Sequence, residues 1–91
     1  MAQTIIIKRK GHEEAFDDRK LYGSIYAAAL TAHYNEHASE EIATDVTNEV
    51  TAWLMAHANI SSNDLKTKVH SILMREDKEV AFLYESHLDI C

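Results

Sequence analysis

The chain has 91 residues, a net charge of −6 and hydrophobic residues at 46% of its positions, which predicts one domain over residues 1–91 with a small core. The acidic balance argues against non-specific binding to DNA, which needs a broad basic face. No apolar run approaches the ~20 residues that cross a bilayer, and with Cys91 as the sole cysteine no internal disulfide is available. A reducing, cytoplasmic setting without a signal peptide is the expectation that follows.

The first elements fall within residues 4–21, TIIIKRKGHEEAFDDRKL, where five of the nine basic residues lie. Three β-branched residues, Ile5, Ile6 and Ile7, open a strand over residues 5–8. Its partner is predicted over residues 13–16, with residues 9–12 turning between them. Gly11 is the turn residue that takes a positive φ at little cost. The isoleucine run suits a strand covered on both faces or a short strand capping a helical layer. Lys8, Arg9 and Lys10 lie in or beside the turn. Asp17 is the expected N-cap of a first helix whose first turn carries Arg19 and Lys20. A cationic hairpin feeding a helix N-terminus is a candidate anion site. Backbone N–H groups and the helix dipole favour negative charge there, and Lys and Arg add counter-charges.

The first helix is predicted over residues 18–34. Leu21, Ile25, Ala28 and Ala32 give it an apolar stripe, flanked by Tyr22, Tyr26 and Leu30. Residues 35–38 read as a polar connection. Ser39 is then the expected cap of a second helix, which buries Ile42, Val46, Val50, Trp53 and Leu54 and ends near residues 58–59. Asn59 and Ile60 read as a brief third strand. Ser61 and Ser62 open a third helix, and Ser61-x-x-Asp64 fits a capping-box pattern. Leu65, Val69, Ile72 and Leu73 form its core stripe. A break at Glu76 and Asp77 precedes a fourth helix over residues 78–89, with Val80, Ala81, Tyr84 and Leu88 facing inward. The predicted fold class is α+β, mainly α: a four-helix bundle capped by a small N-terminal β-hairpin or three-stranded sheet.

Each candidate has an ordinary reading beside the functional one. Lys8, Arg9 and Lys10 also suit a solubilising turn, and Glu14 and Asp17 a surface acid and a helix cap. Ser61 and Ser62 also serve as plain caps. His33 and His37 are four apart with Glu36 beside them, but the first helix is expected to end between them and no third ligand follows at a metal spacing. They read as surface or loop histidines. Trp53 lies on an apolar stripe and reads as core, Tyr22 and Tyr26 face either a partner or the core, and Cys91 reads as a plain terminal thiol.

The order of features resembles the ATP-cone domain, the allosteric nucleotide-binding module of many ribonucleotide reductases and of the repressor that controls reductase genes. The resemblance rests on Ile7-Lys8-Arg9-Lys10-Gly11, then Glu14, Phe16, Asp17 and Lys20-Leu21. It continues at Ser61-Ser62-Asn63-Asp64-Leu65 and at Val80-Ala81-x-x-Tyr84, so it covers essentially the whole chain. Two departures stand out. Lys10 takes the place of the usual acid in the turn, and residues 87–91 lack the basic residue often found near the end of the last helix.

The resemblance implies a nucleotide held between the β cap and the helices. Lys8, Arg9 and Lys20 would hold the triphosphate. Ile6, Glu14, Phe16, Asp17 and Leu21 would line the base side, and Ser62 and Lys66 would approach the sugar or phosphates. The implied ligand is ATP or dATP, with Mg²⁺ able to share the phosphate charge. The implied role is allosteric regulation without catalysis, in which nucleotide identity controls homo-oligomer formation or association with a ribonucleotide reductase subunit. The chain is either a free-standing cone or the N-terminal part of a longer reductase. The alternative is a small helical protein–protein interaction adaptor without nucleotide, whose basic turn docks an acidic partner.

Overall fold

A computed structural model describes residues 4–8 and 11–90, with residues 86–90 described as backbone only. The elements run β1 (Ile5–Ile7), β2 (Glu13–Ala15), α1 (Asp18–Thr31), α2 (Glu36–Leu54), β3 (Asn59–Ser61), α3 (Ser62–Glu76) and α4 (Lys78–Ile90). The fold is α+β and mainly helical. Expectations for Arg9, Lys10, the Leu88 side chain and Cys91 lie outside the described residues.

β1 is the central strand of a mixed sheet ordered β2-β1-β3. It pairs antiparallel with β2, Ile6 opposite Glu14, and parallel with β3, Ile6 opposite Ile60 and Ile7 opposite Ser61. Lys8 N–H donates to the His12 carbonyl at 2.7 Å and Gly11 N–H to the Lys8 carbonyl at 3.1 Å, with Gly11 at φ +80°. That is the left-handed conformation glycine was expected to supply. β1 is fixed at its start by Thr4, whose hydroxyl lies 2.9 Å from the carbonyls of both Leu54 and His57. The sheet is thereby tied to the end of α2.

The core is the meeting of four apolar stripes with one face of the sheet. Ile25, Val46, Val50, Val69, Ile72, Leu73 and Val80 are fully enclosed, and Ile6 and Ile60 close the cluster from the sheet side. Ala28, Ala29 and Ala43, without bulk beyond Cβ, are also fully enclosed, at the closely packed pair α1 and α2. The isoleucine run resolves as a capping strand: Ile6 is buried and Ile7 is 38% exposed.

Three helix boundaries differ from expectation. α1 ends at Thr31 rather than residue 34. His33 adopts φ 75°, its N–H donates to the Leu30 carbonyl at 3.0 Å, and the Tyr34 N–H reaches back to the Ala29 carbonyl at 3.1 Å. This is a Schellman closure with histidine in the place glycine usually takes. α2 then starts at Glu36, where a polar connection was expected. Its N-cap is Asn35, which accepts the Ala38 N–H at 2.8 Å, so Ser39 is not the cap. Ser39 instead lies fully buried inside the helix, its hydroxyl without a hydrogen-bond partner. α2 also stops earlier than predicted, at Leu54, through tight turns from Ala56 N–H to the Trp53 carbonyl and His57 N–H to the Leu54 carbonyl.

The remaining ends follow capping chemistry. Ser61 accepts the Asp64 N–H at 3.0 Å and caps α3. Asp77 separates α3 from α4 in an extended conformation and accepts the N–H groups of Glu79 and Val80 at 2.8 and 3.2 Å. The Tyr34 hydroxyl donates to the other oxygen of Asp77, joining the α1–α2 corner to the start of α4.

Candidate functional site

The strand alternation decides where the cations go. Ile6 faces the helices, so Lys8, two residues on, leaves β1 on that same face. Glu14 lies directly across from Ile6 on β2. Lys20 comes from the first turn of α1. The three meet: Lys8 Nζ is 2.8 Å from Glu14 Oε2 and Lys20 Nζ is 3.9 Å from Glu14 Oε1. The cluster is open to solvent, with side-chain exposures of 50% for Lys8, 75% for Lys20 and 42% for Glu14. The hydrogen bond from Lys8, then its charge and that of Lys20, hold the Glu14 carboxyl below the ordinary carboxylate range, against slight burial and the nearby Asp17.

Below this cluster the site has an apolar floor. Ile6 and Leu21 are buried, at 5% and 7% exposure, and Phe16 packs half-buried against them. Asp17 is the N-cap of α1, as predicted: its side chain accepts the Arg19 N–H at 3.0 Å, and the Arg19 guanidinium lies 3.6 Å away. Asp17 and Asp18 thus already occupy the positive end of α1. The groups open to an anion are the ammonium ions rather than the helix N–H groups.

Ser62 begins α3, half-buried. The pairing of Ile7 with Ser61 sets Ser62 level with Lys8 at the ends of parallel β1 and β3. Lys66 is exposed one turn further along α3, and no ion pair joins it to the cluster among the described residues. The structure therefore gathers Lys8, Glu14, Lys20, Asp17, Phe16, Ile6 and Leu21, sets Ser62 at their edge, and leaves Lys66 apart. Arg9 lies outside the described residues.

Sequence reasoning missed a groove of about 560 Å³ beside β3. Trp53 and His57 from the end of α2, Ile7 with all of β3, and Asp64, Thr67, Lys68 and Ser71 of α3 line it. Trp53, expected in the core, is only half-buried, with the Lys68 ammonium 5.6 Å from its ring centroid and His57 packed at 4.9 Å. The available signal was the spacing of Asp64, Thr67, Lys68 and Ser71, a second, polar face on α3. Of the histidines weighed as metal ligands, His33 forms the α1 closure and His37 pairs with Glu41 at 3.0 Å. Among the described residues, no group of three or more His, Cys, Asp and Glu is placed to hold a metal ion, and no helix is long and apolar enough to cross a membrane.

Lys8 at the end of β1 and Lys20 of α1 thus meet over an apolar floor, with Ser62 at the start of α3 beside them, in a small α+β domain. The family is shown by comparison: the ATP cone domain model matches residues 4–84, and the chain belongs to that family of nucleotide-binding regulatory modules. No curated protein matches the chain.

Proposed function

We propose that the chain binds ATP or dATP at the Lys8–Glu14–Lys20 cluster and converts nucleotide identity into a change of assembly or partner activity, doing no chemistry itself. The observation that carries this reading is the convergence of Lys8 and Lys20 on one carboxylate, above Ile6, Phe16 and Leu21. A triphosphate takes both ammonium ions from Glu14, with Arg9 as the third cation. The carboxylate is then free to accept from donors on the base or sugar. Asp17 and Ser62 complete the polar rim, and Lys66 reaches the phosphates from α3.

Each charge-assisted hydrogen bond contributes roughly 1.5–3 kcal/mol. A few of them together with burial of the base reach the about −8 kcal/mol of micromolar binding. The donor set is cationic, which fits phosphate oxygens and not a bare metal ion. Mg²⁺ enters as the counter-ion of the phosphates. Residues 1–91 act as one regulatory domain in the cytoplasm, and the oligomer or ribonucleotide reductase subunit that responds to it prefers one nucleotide-bound form. Such a response requires the ligand to bind one state more tightly than the other.

Calorimetry with ATP, dATP and GTP, with and without Mg²⁺, tests the binding. ATP or dATP should bind in the micromolar range, and Lys8→Ala with Arg9→Ala should abolish the signal while leaving the thermal midpoint nearly unchanged. Affinities no better than millimolar for all three nucleotides would remove the proposal. Sedimentation with ATP against dATP tests the assembly step, and identical profiles would refute it.

A further inference from the structure

The groove beside β3 carries a different kind of site. In β1 the even-numbered backbone groups turn toward β2: Phe16 N–H donates to the Thr4 carbonyl at 3.0 Å and Lys8 N–H to the His12 carbonyl. The odd-numbered ones turn toward β3, where Ile5 N–H donates to the Ala58 carbonyl at 3.0 Å. With Ile5 opposite Asn59, this parallel ladder uses the backbone of Ala58 and Ile60. It leaves the Asn59 N–H and carbonyl, and the Ser61 N–H, directed away from β1. β3 is an outer strand of the sheet, so these groups face its open edge.

That edge forms one side of the groove, since Asn59, Ile60 and Ser61 all line it. The floor is apolar, from the exposed part of Ile7 and the Trp53 ring. Lys68 stands over the ring without an ion-pair partner among the described residues, next to His57. Asp64 is the lone carboxylate of the lining and sits one turn earlier on α3.

From these groups we infer that the groove binds an extended acidic–apolar peptide segment of a partner polypeptide, added to β3 as a fourth strand. An extended chain is the occupant that offers an N–H and a carbonyl in alternation to match those of Asn59 and Ser61. Its alternate side chains fall over Ile7 and Trp53, and an Asp or Glu reaches Lys68 and His57. The site is separate from the Lys8–Glu14–Lys20 cluster, because none of the residues that line the groove belongs to that cluster.

Trp53 is the sole tryptophan of the chain, so its fluorescence reports on the groove alone. A random display library of peptides of about ten residues, the length of a long strand, is selected against the full chain. The selected sequences are synthesised with blocked ends and titrated by Trp53 emission. The expected peptides alternate apolar residues and contain an acid. Methylating their backbone nitrogens one at a time should weaken binding by about tenfold at one position, the N–H that donates to the Asn59 carbonyl, and leave the neighbouring positions unchanged. Lys68→Glu should weaken binding by a similar factor, and Lys78→Glu, away from the groove, should not. The inference is overturned if no sequence is enriched, if the enriched peptides carry no acid, or if they turn helical on binding. It is equally overturned if no single methylation weakens binding, or if Lys68→Glu abolishes self-association of the chain instead, which would make the occupant a second copy.

Discussion

His33 holds a left-handed conformation, φ 75°, with its side chain in solvent. The left-handed region costs a non-glycine residue roughly 1–2 kcal/mol, and glycine in the unfolded chain gives back roughly 0.5–1. His33→Gly should therefore stabilise the fold by up to about 1 kcal/mol, read as a higher urea midpoint at unchanged slope; a lower midpoint would mean that the imidazole makes a contact of its own. Glu14 is the second residue whose surroundings decide its behaviour. It neutralises the lysines that an anion needs, and Lys8 holds it ionised. Glu14→Gln removes that competition, so binding of inorganic tripolyphosphate should tighten. The advantage of ATP over tripolyphosphate should shrink in the same variant, because the amide no longer offers a full acceptor to the nucleoside. Calorimetry with both ligands checks the pair of effects, and an unchanged tripolyphosphate affinity would show that Glu14 does not restrain the lysines.

Among the elements, α4 depends on one residue for its start. Asp77 accepts two N–H groups from its first turn and the Tyr34 hydroxyl from the α1–α2 corner. The Tyr34 hydrogen bond, then the backbone ones, hold its carboxyl below the ordinary value of 3.8, against partial burial. A folded-state pKa below the unfolded one stabilises at pH above the unfolded value, and the gain is lost as pH falls through the folded value. Asp77→Ala should cost about 0.5–2 kcal/mol at neutral pH, as for other N-cap losses, and the difference from the parent should vanish in acid below that range. A gap that persists at low pH would assign the effect to packing.

The same corner shows what the sequence left illegible. Asn35 and Ser39 are equally good caps by residue type. The choice between them is made by the turn at His33 and Tyr34, which no glycine announces and which carries the chain directly into α2. Where one residue type dominates, at Asp17, Gly11 and Ser61, cap and turn chemistry could be read directly. The grouping of Lys8, Glu14 and Lys20 came from the family resemblance, whereas the cationic stretch was legible because its residues are close in sequence. The groove was not, because it needs Trp53 of α2, Ile7 of β1 and Lys68 of α3 brought together by tertiary packing.

For the molecule as a whole, the candidate nucleotide site and the core share Ile6 and Leu21, so a bound nucleotide stabilises the entire fold and not one loop. At a free concentration of a hundred times Kd the gain is about 2.7 kcal/mol, and the thermal midpoint should climb with the logarithm of ATP concentration. The core also limits the fold at the other end of the pH scale. Tyr84 on α4 is 6% exposed, and burial pushes its phenol from 10.0 up to about 12. The neutral form is the one that folds. In the unfolded chain the phenol ionises near 10, while the folded chain keeps its proton until about 12. The unfolded state therefore binds fewer protons across that interval, and stability falls as pH rises. The slope for one such group is about 1.4 kcal/mol per pH unit. Tyr84→Phe keeps the ring in the core and removes the titration. Urea midpoints measured from pH 9 to pH 12 should decline steeply for the parent and much less for the variant. Parallel declines in both would place the alkaline weakness elsewhere, in the Tyr34 phenol, which its hydrogen bond to Asp77 also holds above the ordinary value.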